Sequence, residues 1–359
     1  KYNARRTHEM LKPDTYSIEN YREADRIVDE YTKLYEKSST VYAQIPESYR
    51  SAYYQLVHSP IALSVNISEM YVAAGKNRYY GERGAASANF YAEKVQELFW
   101  KDAELTRYFH EEVENGKWNH MMSQTHIGYT YWNHPPLNMM PAVSYVQIKE
   151  PAELGYLLEY GATPTWAWLD VEGDWSLSTE MPVFEPVNNQ NYYVQIINKD
   201  EEKLSYSIKP KNDWIKLSSA GGTIQFNEKV YVSIDWQKAP AGRSTGEIVI
   251  SGAGAEYVVK VPARNEKPQV AGYVENNGVI SIEAAHYTQK NDANDITWTV
   301  VPNLGRTNSA LIVEPVTAES QDPESNAPSV EYEFSVFDSS EISVEAYFSP
   351  TQDFKKQGG

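Results

Sequence analysis

The chain has 359 residues, 41% of them hydrophobic and 23% charged, with a formal net charge of −17 and no cysteine. The length allows two or three domains, no apolar run reaches the roughly 20 residues of a membrane span, and without thiols there are no disulfides, cysteine nucleophiles or cysteine-bound zinc. Residues 1–140 carry 16 Lys and Arg against 18 Asp and Glu, leaving 16 against 31 for the rest; such an acidic rear half repels phosphate backbones, so nucleic acid is not expected as a partner.

The first 115 residues read as helical. Ala24, Ile27, Val28, Tyr31, Leu34, Tyr35, Val41 and Tyr42 recur at spacings of three and four. Asn20 with Glu23 fits a capping box, with Ser17 as the rival start. A second helix is expected from Pro46, presenting Tyr49, Ala52, Tyr53, Leu56 and Val57 on one face, with Pro60 kinking or ending it. Periodicity resumes at Ile67, Met70, Tyr71 and Ala74. A third helix is predicted from Ala85 and a fourth over residues 102–113, stopped by Asn115-Gly116. The sum is a bundle of four or five helices.

After Pro141 the period changes from that of a helix to that of a strand. "NYYVQIIN" (191–198), "KVYVSIDW" (229–236), "GEIVISG" (246–252) and "EYVVKVPA" (256–263) alternate between turn residues. Their rhythm is that of an immunoglobulin-like sandwich lacking its cysteine pair, with Trp214 in its core. "ARNEKPQVAG" (263–272) reads as a linker. A further β region follows, with strands expected in 278–288, 295–302, 329–337 and 341–350. Those are too few to close a jelly roll, so the last domain is expected to be incomplete. The fold class is therefore multidomain, α then β. No initiator Met or secretory leader opens the chain, which reads as a piece of a longer protein.

Chemistry concentrates in one stretch, "GKWNHMMSQTHIGYTYWNHPPLNMMP" (116–141), whose 26 residues hold three His, two Trp, two Tyr and four Met and a single charge, Lys117. Its histidines, His120, His126 and His134, lie six and eight apart, not at the spacing that puts two ligands on one helix face. "HEEVE" at His110 lacks the second histidine of a zinc-protease helix, so no metal is expected. No nucleophile elbow and no phosphate-binding glycine loop occurs, so no nucleotide cofactor is expected either. No Asp or Glu stands between Glu114 and Glu150, so the stretch supplies neither acid of a glycosidase pair. The acids elsewhere read as solvated faces. Two readings stay open. Trp118, His120, Gln124, His126, Tyr129 and Trp132 combine flat rings with hydrogen-bonding groups, as a sugar-binding wall does. Alternatively the stretch is an aromatic cap packed on the bundle, with Met121 and Met122 as filler.

Residues 1–17, 21–31, 53–89 ("YYQLVHSPIALSVNISEMYVAAGKNRYYGERGAASAN") and 116–141 closely resemble the C-terminal half of glycoside hydrolase family 115. "GVISIEAAHYT" (278–288), "WTVVPNLGRTNSA" (298–310) and "YFSPT" (347–351) resemble the start of that family's C-terminal domain. These are xylan α-1,2-glucuronidases, which remove (4-O-methyl)glucuronic acid branches from glucuronoxylan by inversion and without a cofactor. The resemblance implies residues 1–16 as the exit from an upstream catalytic barrel, 17–141 as the bundle and 142–183 as a connecting β segment. It implies 184–263 as the immunoglobulin-like sandwich, itself similar to spacer sandwiches of polysaccharide-degrading proteins, and 272–359 as a truncated C-terminal sandwich. The catalytic acids would lie upstream, with none in this chain. Implied partners are the barrel of the same protein, a plant polysaccharide such as glucuronoxylan or another glucuronic-acid-bearing glycan, and a second copy in a homodimer. A polymeric substrate implies a periplasmic or secreted protein. The other class of reading is a non-catalytic carbohydrate-binding or spacer protein.

Overall fold

A computed structural model describes residues 11–19, 22–129, 135–148, 152–159, 179–266, 268–305, 308–337 and 341–349. Contacts divide the chain into two compact units. The larger comprises Tyr2–Phe184 with Gln190–Asn265; the smaller comprises Glu185–Asn189 with Glu266–Gly359 and residue Lys1.

In the larger unit, α1 (Glu23–Gln44) buries Ala24, Ile27 and Tyr31, as the periodicity predicts. Asn20 lies outside the described residues. The start is fixed instead by Ser17, whose N–H donates to the Glu23 carboxylate at 2.9 Å while its carbonyl accepts from the Ala24 N–H. The acceptor lies six residues on, not the three of a capping box, and the N-cap position itself is Arg22 in the left-handed conformation. α2 (Glu47–Tyr53) does not stop at Pro60. A π-helical turn, Tyr54–His58, leads directly into α3 (Ser59–Gly81), with Pro60 in its first turn. There the hydrogen-bond register changes, the Ser59 N–H donating to the Tyr54 carbonyl five residues back. The expected apolar face is not the buried one. Tyr49 and Leu56 are 66% and 73% exposed, and Tyr54 and His58 are buried in their place.

The expected third and fourth helices are one, α4 (Ser87–Glu111). Val95, Leu98, Asp102 and Phe109 form its buried stripe, so the polar residue Asp102 continues the helix instead of ending it. Left-handed Glu114, Asn115 and Gly116 then stop the chain. α3 packs against both α1 and α4. Gly75 on α3 admits the N-terminal segment: a Cβ there would stand 2.3 Å from the Pro13 carbonyl oxygen. Residues 135–148 run extended along the helices, held by side-chain amides. Asn77 donates from Nδ2 to the carbonyls of Ala88 and Ser144 and accepts from the Ser144 N–H; Asn89 brackets Val146 in the same way.

Two four-stranded antiparallel sheets form the sandwich. The first has the order β1 (Leu154–Leu158), β2 (Tyr192–Asn198), β6 (Asn227–Ile234), β4 (Ile215–Leu217); the second runs β5 (Gly221–Ile224), β3 (Leu204–Pro210), β7 (Gly242–Gly252), β8 (Ala255–Asn265). Strand β1 comes from the expected connecting segment and is an edge strand of the first sheet. Inward Val194, Ile196, Val230 and Val232 meet Ile208, Ile248, Ile250 and Val259, with Trp214 4% exposed among them. Residues 180–184 shield the outer edge of β8 through bridges from Glu180 to Lys260 and from Phe184 to Ala263.

β2 departs from the expected alternation because every one of its residues is buried. Its outward face is covered by the bundle, where Ile197 joins Tyr80, Ala85 and Ala88. Gln195 Nε2 donates to Tyr80 OH at 2.9 Å, the Ala86 N–H to the Asn198 carbonyl, and Asn227 Nδ2 to Ser87 Oγ. The Lys229 ammonium lies 4.0 Å from the Tyr193 ring centre, and desolvation holds its pKa below the ordinary lysine value. Each fully buried aliphatic side chain contributes about 1.5–3 kcal/mol, so this seam makes bundle and sandwich a single body.

In the smaller unit the strands pair in twos: β9 (Tyr273–Val274) with β14 (Phe334–Ser335), β10 (Gln289–Asn291) with β13 (Ser329–Glu331), and β11 (Thr297–Val301) with β12 (Ala310–Glu314). The expected strands at 278–288 and 341–350 are not strands in their described residues. Alternation alone makes no strand without a ladder partner.

Candidate functional site

The stretch 116–129 leaves α4 through its left-handed stop and folds back over the helix. Ile127 plugs it into the bundle core. Both the His126 and Ile127 N–H groups donate to Asn138 Oδ1, at 2.7 and 3.1 Å, and the Met139 N–H donates to the Ile127 carbonyl. Gly128, at φ +94°, lets Met139 pass: a Cβ there would be 2.8 Å from the Met139 Cβ. Its N–H donates to Tyr71 OH at 3.3 Å.

At the centre is His126. Its Nε2 stands 2.8 Å from Asp102 Oδ2, and its Nδ1 stands 3.1 Å from the Gln124 carbonyl oxygen. With both ring nitrogens protonated, one N–H donates to the Asp102 carboxylate and the other to the Gln124 carbonyl. The Asp102 hydrogen bond is the main cause that holds the His126 pKa above its ordinary value, with burial opposing it. Asp102 is 1% exposed, and its Oδ1 has no partner among the described residues. This ion pair fastens the stretch to α4. It resembles the acid–histidine part of a catalytic triad, yet both nitrogens are engaged and none is left to take a proton from a nucleophile.

Between this stretch, α3 and the start of the chain lies a cleft of about 660 Å³. Leu56, Leu63, Ile67, Phe109, Met121 and Met122 give it an apolar wall; Gln124, Thr125, His126 and Tyr129 face them. Gln124 Nε2 donates to Tyr129 OH at 3.4 Å, and Tyr129 OH donates to the Thr125 carbonyl at 3.2 Å.

Of the six residues singled out in the sequence, Gln124, His126 and Tyr129 come together in this cleft. Trp118 instead packs on Tyr54, Phe109 and Val113, with the Lys117 ammonium 4.8 Å from its ring centre. His120 is exposed at φ 68°, its ring 6.3 Å from that of His110, whose Nε2 accepts the Met122 N–H. Trp132 lies outside the described residues. Asp102 was missed: it falls on the stripe of Val95, Leu98 and Phe109, and an acid at an apolar stripe position is the signal that could have found it. Among the described residues no group of three or more His, Asp or Glu is placed to hold a metal ion, and no helix is long and apolar enough to cross a membrane.

Fold and cleft define a helical bundle fused to an antiparallel sandwich, and a further β region follows in the sequence. Residues 272–359 match the glycosyl hydrolase family 115 C-terminal domain, in agreement with the resemblance carried by the sequence. Solved structures similar to the chain include a GH115 4-O-methyl-α-glucuronidase with specificity for decorated arabinogalactans, at 16% identity over 67% of this chain and 33% of that one, TM-score 0.26. They also include a Bacteroides ovatus GH5 xyloglucanase, at 16% identity over 24% of this chain and 17% of that one, TM-score 0.19, and the YadV chaperone, at 11% over 38% and 63%, TM-score 0.22. The chain thus spans at most 33% of either glycoside hydrolase. No curated protein matches the chain.

Proposed function

We propose that this chain is the accessory region of a glycoside hydrolase that removes (4-O-methyl)glucuronic acid branches from glucuronoxylan or a similar glucuronic-acid-bearing glycan. The bundle supports an upstream catalytic barrel of the same protein, and the stretch 116–129 lines the substrate pocket. The catalytic carboxylates belong to the barrel. The observation that carries this reading is the family 115 domain match at residues 272–359, and the cleft supports it by joining rings, amides and hydroxyls with no carboxylate among its described lining residues. A polymeric substrate places the protein in the periplasm or outside the cell. His126→Ala and Tyr129→Phe in the intact enzyme test the pocket assignment. Both are expected to lower kcat/KM on glucuronoxylan, by roughly tenfold for a lost positioning interaction, with the helical circular dichroism retained at 25 °C. Unchanged kcat/KM in both would reduce the stretch to a packing element.

A further inference from the structure

We propose that the cleft between α3 and the stretch 116–129 binds an uncharged sugar residue of the glycan, and not its uronate. The inference rests on the pocket reading above and adds the class of ligand. No Lys, Arg, Asp or Glu side chain is among the cleft's described lining residues. Of the lining groups, His126 is already engaged on both ring nitrogens. Nε2 is on Asp102 Oδ2 at 2.8 Å and Nδ1 is on the Gln124 carbonyl at 3.1 Å, so neither N–H is left to meet a carboxylate. Lys117, the nearby cation in sequence, sits over the Trp118 ring, and Lys117 and Trp118 are both outside the lining.

A uronate entering this cleft would shed water from its carboxylate and find no unmatched cation among the described lining residues, a cost that a neutral ring does not bear. The rest of the chemistry suits such a ring. Phe109 and Tyr71 offer aromatic surface, and Met121 and Met122 offer adaptable apolar contact to C–H faces. On the opposite side Gln124 presents an exposed amide that can exchange its long 3.4 Å bond to Tyr129 for a hydroxyl of the ligand. A cleft of about 660 Å³ falls within the range of roughly 300–1,000 Å³ typical of small-ligand sites. Recognition of the acid itself is thereby left to the barrel, and the bundle reads the neutral residues beside the branch.

The test is a titration of the 359-residue chain, carrying 13C-methyl methionine, with xylotriose and separately with glucuronic acid, resonances being assigned with Met122→Leu. Saturable shifts of the Met121 and Met122 methyls with xylotriose, and binding at least about tenfold weaker for glucuronic acid, are expected. Gln124→Ala should weaken the xylotriose response and leave the remaining methionine methyls in place. Tighter binding of glucuronic acid, or no shift with either sugar, would overturn the inference. Glucuronic acid release by the intact enzyme is measured in parallel and separates the two claims. Release without neutral-sugar binding leaves the accessory-region reading standing and removes this one; neutral-sugar binding without release does the reverse.

Discussion

Replacing His126 with alanine tests the ion pair that holds the stretch 116–129 on α4. The substitution leaves the Asp102 carboxylate, 2% exposed in its side chain, with neither oxygen bonded, since Oδ1 already lacks a partner among the described residues. Removing one member of a buried pair costs about 3–5 kcal/mol. The His126 side chain is 29% exposed, so water can enter the space it leaves, and about 2–3 kcal/mol is the better expectation. For a body of this size each kcal/mol moves Tm by roughly 2–4 °C, giving a drop of about 4–12 °C. The drop depends on pH. His126 binds its proton more tightly in the folded chain than in the unfolded one, so its contribution is fully present below about pH 6.5 and is lost as pH rises through the raised value. Above it a neutral ring keeps one N–H and can satisfy either Asp102 or the Gln124 carbonyl, not both. The gap between the melting temperatures of wild type and variant should therefore be widest below about pH 6.5 and narrow as pH rises through the raised value. Equal melting temperatures at all pH values, or a gap that widens as pH rises, would refute the pairing of a protonated His126 with Asp102.

Asn77→Ala removes two hydrogen bonds that tie residues 135–148 to α3 and a third that ties α3 to the Ala88 carbonyl of α4. A loss of about 2–4 kcal/mol should appear in denaturant melts, together with faster proteolysis within that extended segment. Gly246→Ala puts a Cβ 2.7 Å from the Trp214 ring, and overpacking of about 1–3 kcal/mol should lower the melting midpoint and shift Trp fluorescence. Gly75→Ala collides with the backbone oxygen of Pro13. It should detach the N-terminal segment from α3, read as loss of amide-exchange protection at residues 11–16 with the sandwich strands unaffected.

Much of the architecture was legible because periodicity reports on single elements. The run of Ala24, Ile27 and Tyr31 fixed α1, and the alternation in 246–252 and 256–263 fixed the β7–β8 hairpin. What was not legible depends on partners distant in sequence. Asp102 looked like a helix boundary because its reason for burial, His126, lies 24 residues away. Strand β2 shows alternation, but the helices that cover its outer face come more than a hundred residues earlier. The π turn at Tyr54–His58 carries no local signal beyond Pro60, and the second helix was read with the wrong face buried. Gln124, His126 and Tyr129, nominated by their side-chain chemistry, line one cleft. Trp118 was nominated on the same grounds, yet an amphipathic ring fits a core as well as a sugar.

The most direct test of the account is release of (4-O-methyl)glucuronic acid from glucuronoxylan, assayed with the 359-residue chain alone and with the intact protein from which it comes. An accessory region gives release by the intact protein and none by the chain alone. Release by the chain alone would mean that the acids of the reaction stand among these residues, and the assignment of the bundle as supporting wall would be wrong.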